Sequence, residues 1–461
     1  MTGPTFDLLL DVGAAWFVII LAAQVLGWLA PKIGQPAVVG EMAAGVILGP
    51  SLLGWVWPAA GEHLFTAEVK EVLFVIAMVG LSLYMFVVGV EHEHEPESRK
   101  EATFPIAVAL AGIIIPLMVG AGAAAIIAGE YKPDDVGFWV FILFVGGSLT
   151  VTAFPMLARI LQQQRMMHTR FGGVATRAAA IDDALAWCLL AVLSGIATKG
   201  SASGVIETVL PAIAFALVCY WALPLIFRKV MERAVADNEI SDGLFGALLL
   251  TVLGAGWFTD YIGIYSVFGG FVVGMTLPSV PGFADLLKDR LLQTVRCLML
   301  PVFFAYSGLN TDLTTLSGSV LLVLALMLVV AFGSKTIASM GVARAYGWSW
   351  GQSTALSALM NARGLMILIF INIGLSLGVI EQRLFSVLVV VAVLTTAMAM
   401  PIYRRYYTPE REEAERVAAT RTRVAAPPGS PPIAPADHTG GDRPESPHTD
   451  TAATNLPSAH R

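Results

Sequence analysis

Ala178-Ala-Ala-Ile-Asp-Asp-Ala-Leu-Ala-Trp187 puts two adjacent carboxylates, Asp182 and Asp183, well inside an apolar run over residues 173–197. An ionisable group at bilayer depth costs at least about 2.5–3.5 kcal/mol on insertion scales, so it is retained where it functions. A helix end at the interface, where Asp is cheap, is the plainer alternative. Apolar sequence on both sides of the pair argues against it. Successive helical residues point about 100° apart, because about 3.6 of them make a turn. The two carboxylates therefore face different surroundings. One can pair with a cation from a neighbouring helix while the other faces a cavity. Two acids this close also separate their proton affinities. That suits a site where a metal ion and a proton compete for one carboxylate.

The run belongs to a chain that is 56% hydrophobic and 13% charged over 461 residues, far below the about 25% charge of a soluble domain. Lipid is the simplest solvent for it, and an all-α membrane protein follows. Thirteen segments are long and apolar enough to span: 8–29, 37–57, 70–90, 104–128, 137–161, 173–197, 206–228, 242–260, 262–280, 291–309, 318–343, 352–378 and 383–403. The weakest divide is Asp260-Tyr261-Ile262-Gly263. With the N-terminus outside, sixteen Lys and Arg fall on inner loops and span ends, and four on outer ones. That asymmetry places the C-terminus in the cytoplasm. The start has no basic segment, carries Asp7 and Asp11, and reads as a membrane helix rather than a secretory signal. Cys188, Cys219 and Cys297 lie in apolar stretches without metal-ligand spacing and are expected to be buried small hydrophobes. Residues 1–407 form the membrane domain. Residues 408–461, rich in Pro, Thr, Asp and His, are expected to be a disordered cytoplasmic tail without a Gly-rich phosphate loop.

Three further charges lie inside apolar runs. Lys335, in Ala331-Phe-Gly-Ser-Lys-Thr-Ile337, is too deep to snorkel readily and wants a carboxylate partner, which the Asp pair supplies. Arg363, in Ser357-Ala-Leu-Met-Asn-Ala-Arg-Gly-Leu365, is flanked by the poor helix formers Asn361 and Gly364. An irregularity also marks the fifth segment, Gly146-Gly-Ser-Leu-Thr-Val-Thr-Ala-Phe-Pro155, where Pro155 removes a helical donor. Each break alone reads as an ordinary kink. Their matched positions in two halves of the chain point to a midplane binding site. Glu41 opens the second segment near an interface, where a structural role competes with a functional one. Gly45 and Gly49 follow it at the spacing of close helix packing. Glu91 is expected at an interface, and His92-Glu-His94 is a weak metal signal.

Five separated stretches resemble the monovalent cation:proton antiporters of the second large subfamily, the NapA- and Kef-like exchangers. They are Gly34-Gln-Pro-Ala-Val-Val-Gly-Glu-Met-Ala-Ala-Gly-Val-Ile-Leu-Gly-Pro50, Val87-Val-Gly-Val-Glu91, Thr150-Val-Thr-Ala-Phe-Pro-Met-Leu-Ala-Arg-Ile160, Ala180-Ile-Asp-Asp183 and Asn361-Ala-Arg-Gly-Leu365. The resemblance runs from about residue 8 to 405. It implies an inverted-repeat fold of about thirteen helices, with the fifth and twelfth crossed and partly unwound. It implies that Asp183 carries the ion and the proton, that Asp182 pairs with Lys335, and that Thr150 and Thr152 oxygens lie near the ion. Homodimers and an elevator-like motion are also implied. One departure stands out: Ile367 occupies a position where many relatives carry an acid, so Arg363 needs another partner.

The expected function is exchange of sodium or potassium for protons by alternating access at a shared aspartate, in a multi-pass bacterial plasma-membrane protein. The Asp-Asp pair with Lys335 leans toward electrogenic exchange. The expected partners are alkali cations, protons, lipid and a second copy of the chain. No cofactor, nucleic acid or resident metal is expected. Two alternatives remain, a potassium efflux protein on the same fold and a non-transporting sensor or scaffold. Nothing in the sequence presents a catalytic constellation, so an enzyme is not expected.

Overall fold

The computed structural model describes residues 4–91, 99–167, 169–199, 202–311, 313, 318–408, 410–415 and 417. All regular structure in them is helical. Ten helices are long and apolar enough to cross a membrane, and Phe138–Ser148, Ser266–Thr276 and Met366–Ser376 are shorter apolar helices. Every one of the thirteen sequence segments falls on a helix or a pair of helices, with these differences. The second segment ends as a helix at Leu48, followed by the short helices Leu53–Val56 and Pro58–Leu64. The Asp260–Gly263 divide is real, because the helix stops at Tyr261 and Gly263 adopts φ +84° before the next one starts at Ser266. The fifth and twelfth segments are each broken in two.

The helices sort into two bundles. One holds α1 (Pro4–Leu29), α2 (Ala37–Leu48), α3 (Ala67–Val90), and, later in the chain, α9 (Asp242–Tyr261), α10 (Ser266–Thr276) and α11 (Phe283–Leu309). The other holds α4 (Arg99–Tyr131), α5 (Phe138–Ser148), α6 (Phe154–Gln163) and α7 (Arg170–Lys199), then α12 (Ser319–Ala345), α13 (Trp350–Met360), α14 (Gly364–Ser376) and α15 (Gln382–Tyr406). The long α8 (Ala202–Ala236) packs on α7 and α10 and bridges the two. Within the second bundle the order helix, broken helix, helix occurs twice.

Small residues set the tightest contacts of the first bundle. A Cβ on Gly45 or Gly49 would collide with the α11 backbone at Phe304 and Gly308, so α2 and α11 touch main chain to main chain. This is the close packing that the Gly45/Gly49 spacing predicts, and association in lipid relies on such contacts. Large apolar side chains such as Phe17, Trp28, Leu217, Trp221 and Leu225 point outward from α1 and α8, as a lipid-facing surface requires. Cys219 is buried as expected, but Cys188 and Cys297 are exposed on the outside of their helices. Lipid contact makes that position as compatible with a thiol as the interior is.

At the start of the tail, where the sequence offers a brief extension of the last helix over residues 410–416, helix α15 stops at Tyr406 and residues 410–415 form a separate helical turn. The turn folds back so that Glu412 is buried and accepts from the Tyr403 hydroxyl at 2.9 Å. The Tyr407 hydroxyl donates to Glu415, and the rings of Phe171, Tyr403 and Tyr407 stack beneath. The remainder of the tail, like His92 and His94, lies outside the described residues.

Candidate functional site

Helix α7 carries Asp182 and Asp183 into the middle of the second bundle, and both are fully buried. Their side chains diverge as helix geometry requires. Asp182 accepts from Lys335 Nζ at 2.7 Å and from the Thr152 backbone N–H at 2.8 Å. Asp183 has neither: both its carboxylate oxygens are buried and no described residue hydrogen-bonds to them. A buried carboxylate without a partner is among the most expensive groups a fold can hold when ionised, by several kcal/mol. A proton or a cation removes that penalty.

The two broken helices meet beside this pair. The interruption between α5 and α6 covers residues 149–153, and that between α13 and α14 covers residues 361–363. Ala153 N–H donates to Ala362 O at 3.0 Å, and the Thr152 hydroxyl donates to Met360 O at 2.8 Å, so the interruptions are laced together. Gly364 closes the second one with φ +46°, a left-handed conformation that glycine accepts without strain. Its N–H donates to Thr396 Oγ1 on α15 at 3.1 Å.

Breaking a helix leaves orphan carbonyls at its C-terminal end, and that end carries partial negative charge. The two buried cations satisfy them. Lys335 Nζ donates to Thr150 O as well as to Asp182. Arg363 donates to Leu149 O and, at 2.6 Å, to Ala331 O on α12. The partner that Arg363 lacks at Ile367 is thus supplied by main-chain oxygens, and Ile367 itself is fully buried in the apolar packing of α14.

The resemblance implies Thr150 and Thr152 oxygens near the ion. Their hydroxyls donate to Gly147 O and Met360 O, both at 2.8 Å, and so hold the interruptions in shape. Their oxygens keep free lone pairs, but neither hydroxyl donates to Asp183. Pro155 does not break a helix from inside. The break precedes it, and it sits in the first turn of α6, where its missing N–H would be unpaired anyway. Arg363 forms no ion pair among the described residues; it contacts carbonyls instead.

Glu41 is half-buried in the second turn of α2, against Gly27, and stands apart from the Asp pair in the other bundle. Asn361 lies in the second interruption and donates to Thr336 Oγ1 at 3.0 Å and Ser357 O at 2.9 Å. Glu91 pairs with Lys288 at 2.9 Å where both are partly exposed, as an interfacial residue would. Among the described residues no group of His, Cys, Asp or Glu has the arrangement of a resident metal site.

Sequence reasoning missed Trp187, one turn beyond Asp183. Its ring packs against Phe268 and Phe271 of α10, between the two bundles. It also missed the Asn372 amide, which crosses from α14 to the Ser307 hydroxyl of α11 at 2.8 Å. Both contacts join elements distant in sequence, and an aromatic or an Asn in an apolar run gives no sign of which helix it will meet.

A model of the transmembrane sodium/hydrogen exchanger family matches residues 19–403. The chain is 34% identical over 401 residues to the Na(+)/H(+) antiporter NhaS4 of Synechocystis, covering 87% of this chain and 98% of that protein. It is 34% identical over 398 residues to cation/H(+) antiporter 18 of Arabidopsis thaliana, covering 86% of this chain but only 48% of the plant protein. Among solved structures, the sodium proton antiporter MjNhaP1 of Methanocaldococcus jannaschii at pH 8 superposes with a TM-score of 0.60 at 13% identity, over 89% of this chain and 99% of that one.

Proposed function

The chain belongs to the transmembrane sodium/hydrogen exchanger family, and from that premise we propose that it exchanges a monovalent cation for protons at Asp183. The observation that carries this reading is the contrast within the acidic pair. Asp182 is held by an ammonium and a main-chain N–H, whereas both oxygens of Asp183 are buried and unpartnered at the crossing of two interrupted helices. An ionised, empty Asp183 is too costly to persist at that depth. Either a proton or an alkali cation neutralises it, and the two compete for the same oxygens. Exchange follows when the bundle carrying Asp183 shifts against the other and so exposes the carboxylate to each side in turn. Asp182 and Arg363 keep their charges throughout, because each is tied to main-chain groups of the interruptions. Thr150, Thr152, Asn361 and Pro155 shape those interruptions. Glu41 is outside this machinery.

The same reading takes the helices as thirteen crossings, with the broken pairs counted as one each and the end carrying residues 406–415 in the cytoplasm. It places the chain in a cell membrane as a homodimer, in the second antiporter subfamily, with no enzymatic activity. The cation is sodium or potassium. A single-charge carboxylate site does not by itself choose between them, since that depends on cavity size and ligand number.

Asp183→Asn tests the site. In proteoliposomes with an imposed proton gradient, the variant is expected to lose cation-dependent proton movement with sodium, potassium or lithium. Exchange at the wild-type rate would place the exchangeable group elsewhere.

A further inference from the structure

Helical serines normally return their hydroxyl proton to a carbonyl one turn back. Ser334, Ser386 and Ser357 of this chain do so, to Val330 O, Gln382 O and Thr354 O. Ser339 and Ser353 do not. Both are fully buried, and neither hydroxyl has a partner among the described residues. The Asn361 amide oxygen is a third such atom. Its orientation is fixed, because the amide nitrogen donates to Ser357 O, which can only accept.

These three atoms are not scattered. Ser353, Ser357 and Asn361 recur every fourth residue along α13 and into its cap, one above the other on a buried ridge. Ser339 follows Lys335 by one turn on α12. The two helices run antiparallel, and their register is set by Asn361 Nδ2 to Thr336 Oγ1 (3.0 Å) and Thr354 Oγ1 to Met340 Sδ (3.8 Å). That register lays Ser339 beside the stretch between Ser353 and Asn361. The result is a polar seam from the first turns of α13, at the end of the bundle where the 410–415 turn sits, to the Lys335 ammonium at midplane.

A buried polar atom without a partner costs about 1–3 kcal/mol, and three on one line ask for a common cause. Buried water is the ordinary answer, since one molecule satisfies two to four such groups. We infer that Ser353, Ser339 and Asn361 line a hydrated path that carries protons between the tail end of the core bundle and Lys335. This rests on the antiporter reading and adds a proton route that bypasses Asp183. Water and hydroxyl oxygens each donate and accept, so a proton entering at one end releases another at the far end. In the outward step, Lys335 passes one ammonium proton to a seam water and becomes neutral. One proton emerges at the tail end, and Asp182 keeps its negative charge and its bond from Thr152 N–H. The reverse step recharges Lys335. The Gln352 amide donates to Glu415 at 3.3 Å beside the mouth of the seam, so the tail turn lies where it covers that opening.

The test begins with accessibility. In a background with Cys188, Cys219 and Cys297 replaced by Ser, single Ser353→Cys and Ser339→Cys variants in proteoliposomes are treated with methanethiosulfonate ethylammonium, and modification is followed by mass spectrometry. Ala355→Cys and Leu359→Cys, equally buried on α13 but off the seam, are the controls. The seam cysteines are expected to react at least about tenfold faster than the controls, a margin that a single solvating hydrogen bond would give. Equal rates overturn the hydrated path. The second arm is kinetic. Ser339→Val is expected to slow proton-driven exchange by about tenfold or more with the half-saturating cation concentration unchanged, and Ser339→Thr to restore it. A wild-type rate in the Val variant overturns the proton role, as does failure of Thr to rescue. Labelling does not depend on Asp183. An active Asp183→Asn protein with reactive seam cysteines would therefore sink the site assignment and leave the seam standing.

Discussion

Replacing Lys335 by Met removes the buried ammonium and keeps most of its volume. Lys335 Nζ lies 2.7 Å from Asp182, and both side chains are fully excluded from solvent. Removing one member of a buried ion pair costs about 3–5 kcal/mol, because the other charge is stranded. The Thr150 carbonyl also loses its donor, at about 1 kcal/mol more. The expected loss is about 4–6 kcal/mol, against a total stability of about 5–15 kcal/mol for a folded domain. Neutralising the stranded partner reverses most of this. In Lys335→Met/Asp182→Asn the amide oxygen still accepts from Thr152 N–H, and no charge is left alone. The double variant is therefore expected to be at least about 2 kcal/mol more stable than Lys335→Met. The measurement is reversible SDS-titration unfolding in mixed micelles, followed by tryptophan fluorescence. If Lys335→Met loses less than about 1 kcal/mol, or if the double variant is no more stable than the single, then water reaches the pair and the buried-charge reasoning fails.

Gly364→Ala forces a side chain into φ +46° and against Ala153 and Met156. It is expected to cost about 1–2 kcal/mol and to depress exchange more than folding, since it displaces the Arg363 end of the crossing; unchanged kinetics at normal expression would show that the crossing tolerates rearrangement. Tyr403→Phe strands the buried Glu412 carboxylate and is expected to free the 410–415 turn, seen as about tenfold faster tryptic cleavage at Arg411. Burial, with Glu415 hydrogen-bonded against it, pushes the neighbouring Tyr407 hydroxyl above the usual tyrosine range. It therefore remains a donor at any working pH, and cleavage in the Tyr403 variant should not vary with pH between 6 and 9 beyond the protease's own profile, as tyrosines near about 10 would already predict.

The bundle was legible because lipid imposes one rule on every segment: about 20 apolar residues in a helix. The buried charges were legible for the same reason, since Asp182, Asp183, Lys335 and Arg363 interrupt runs where charge is expensive. The Asp182–Lys335 pairing could be proposed by matching opposite charges. The division of labour at the interruptions could not. Nothing in Thr150 or Thr152 says that their hydroxyls donate to Gly147 O and Met360 O, because a threonine near a helix break has many carbonyls within reach. Pro155 was misleading in a simple way. A proline marks a break without saying on which side the helix resumes, and here it resumes around the proline itself. Ser353, Ser357 and Asn361 did carry a readable period, but polar residues every fourth position give no hint of whether their hydroxyls are satisfied. The tail turn was hidden by composition: a charged segment folds back here because Tyr403 and Tyr407 offer buried donors to its two glutamates.

The interrupted helices make sense as clamps for charges that do not move. The C-terminal end of α5 offers Leu149 O and Thr150 O, which take Arg363 and Lys335. The start of α6 offers Thr152 N–H, which takes Asp182. Each unsatisfied end of the break is thus matched to a charge of the sign its dipole favours. Three of the four buried charges at the crossing are fixed in this way, and the fourth, Asp183, has no hydrogen-bond partner among the described residues. That also explains why Ile367 is tolerated: Arg363 already commits donors to Leu149 and Ala331, so an added acid at 367 would bring its own desolvation cost with no orphan group to satisfy. A site built so leaves Asp183 as the carboxylate open to the exchanged ion. Binding or losing one proton or one alkali cation at Asp183 changes the electrostatics of the core while its scaffold of carbonyls, Lys335, Arg363 and Asp182 stays in place.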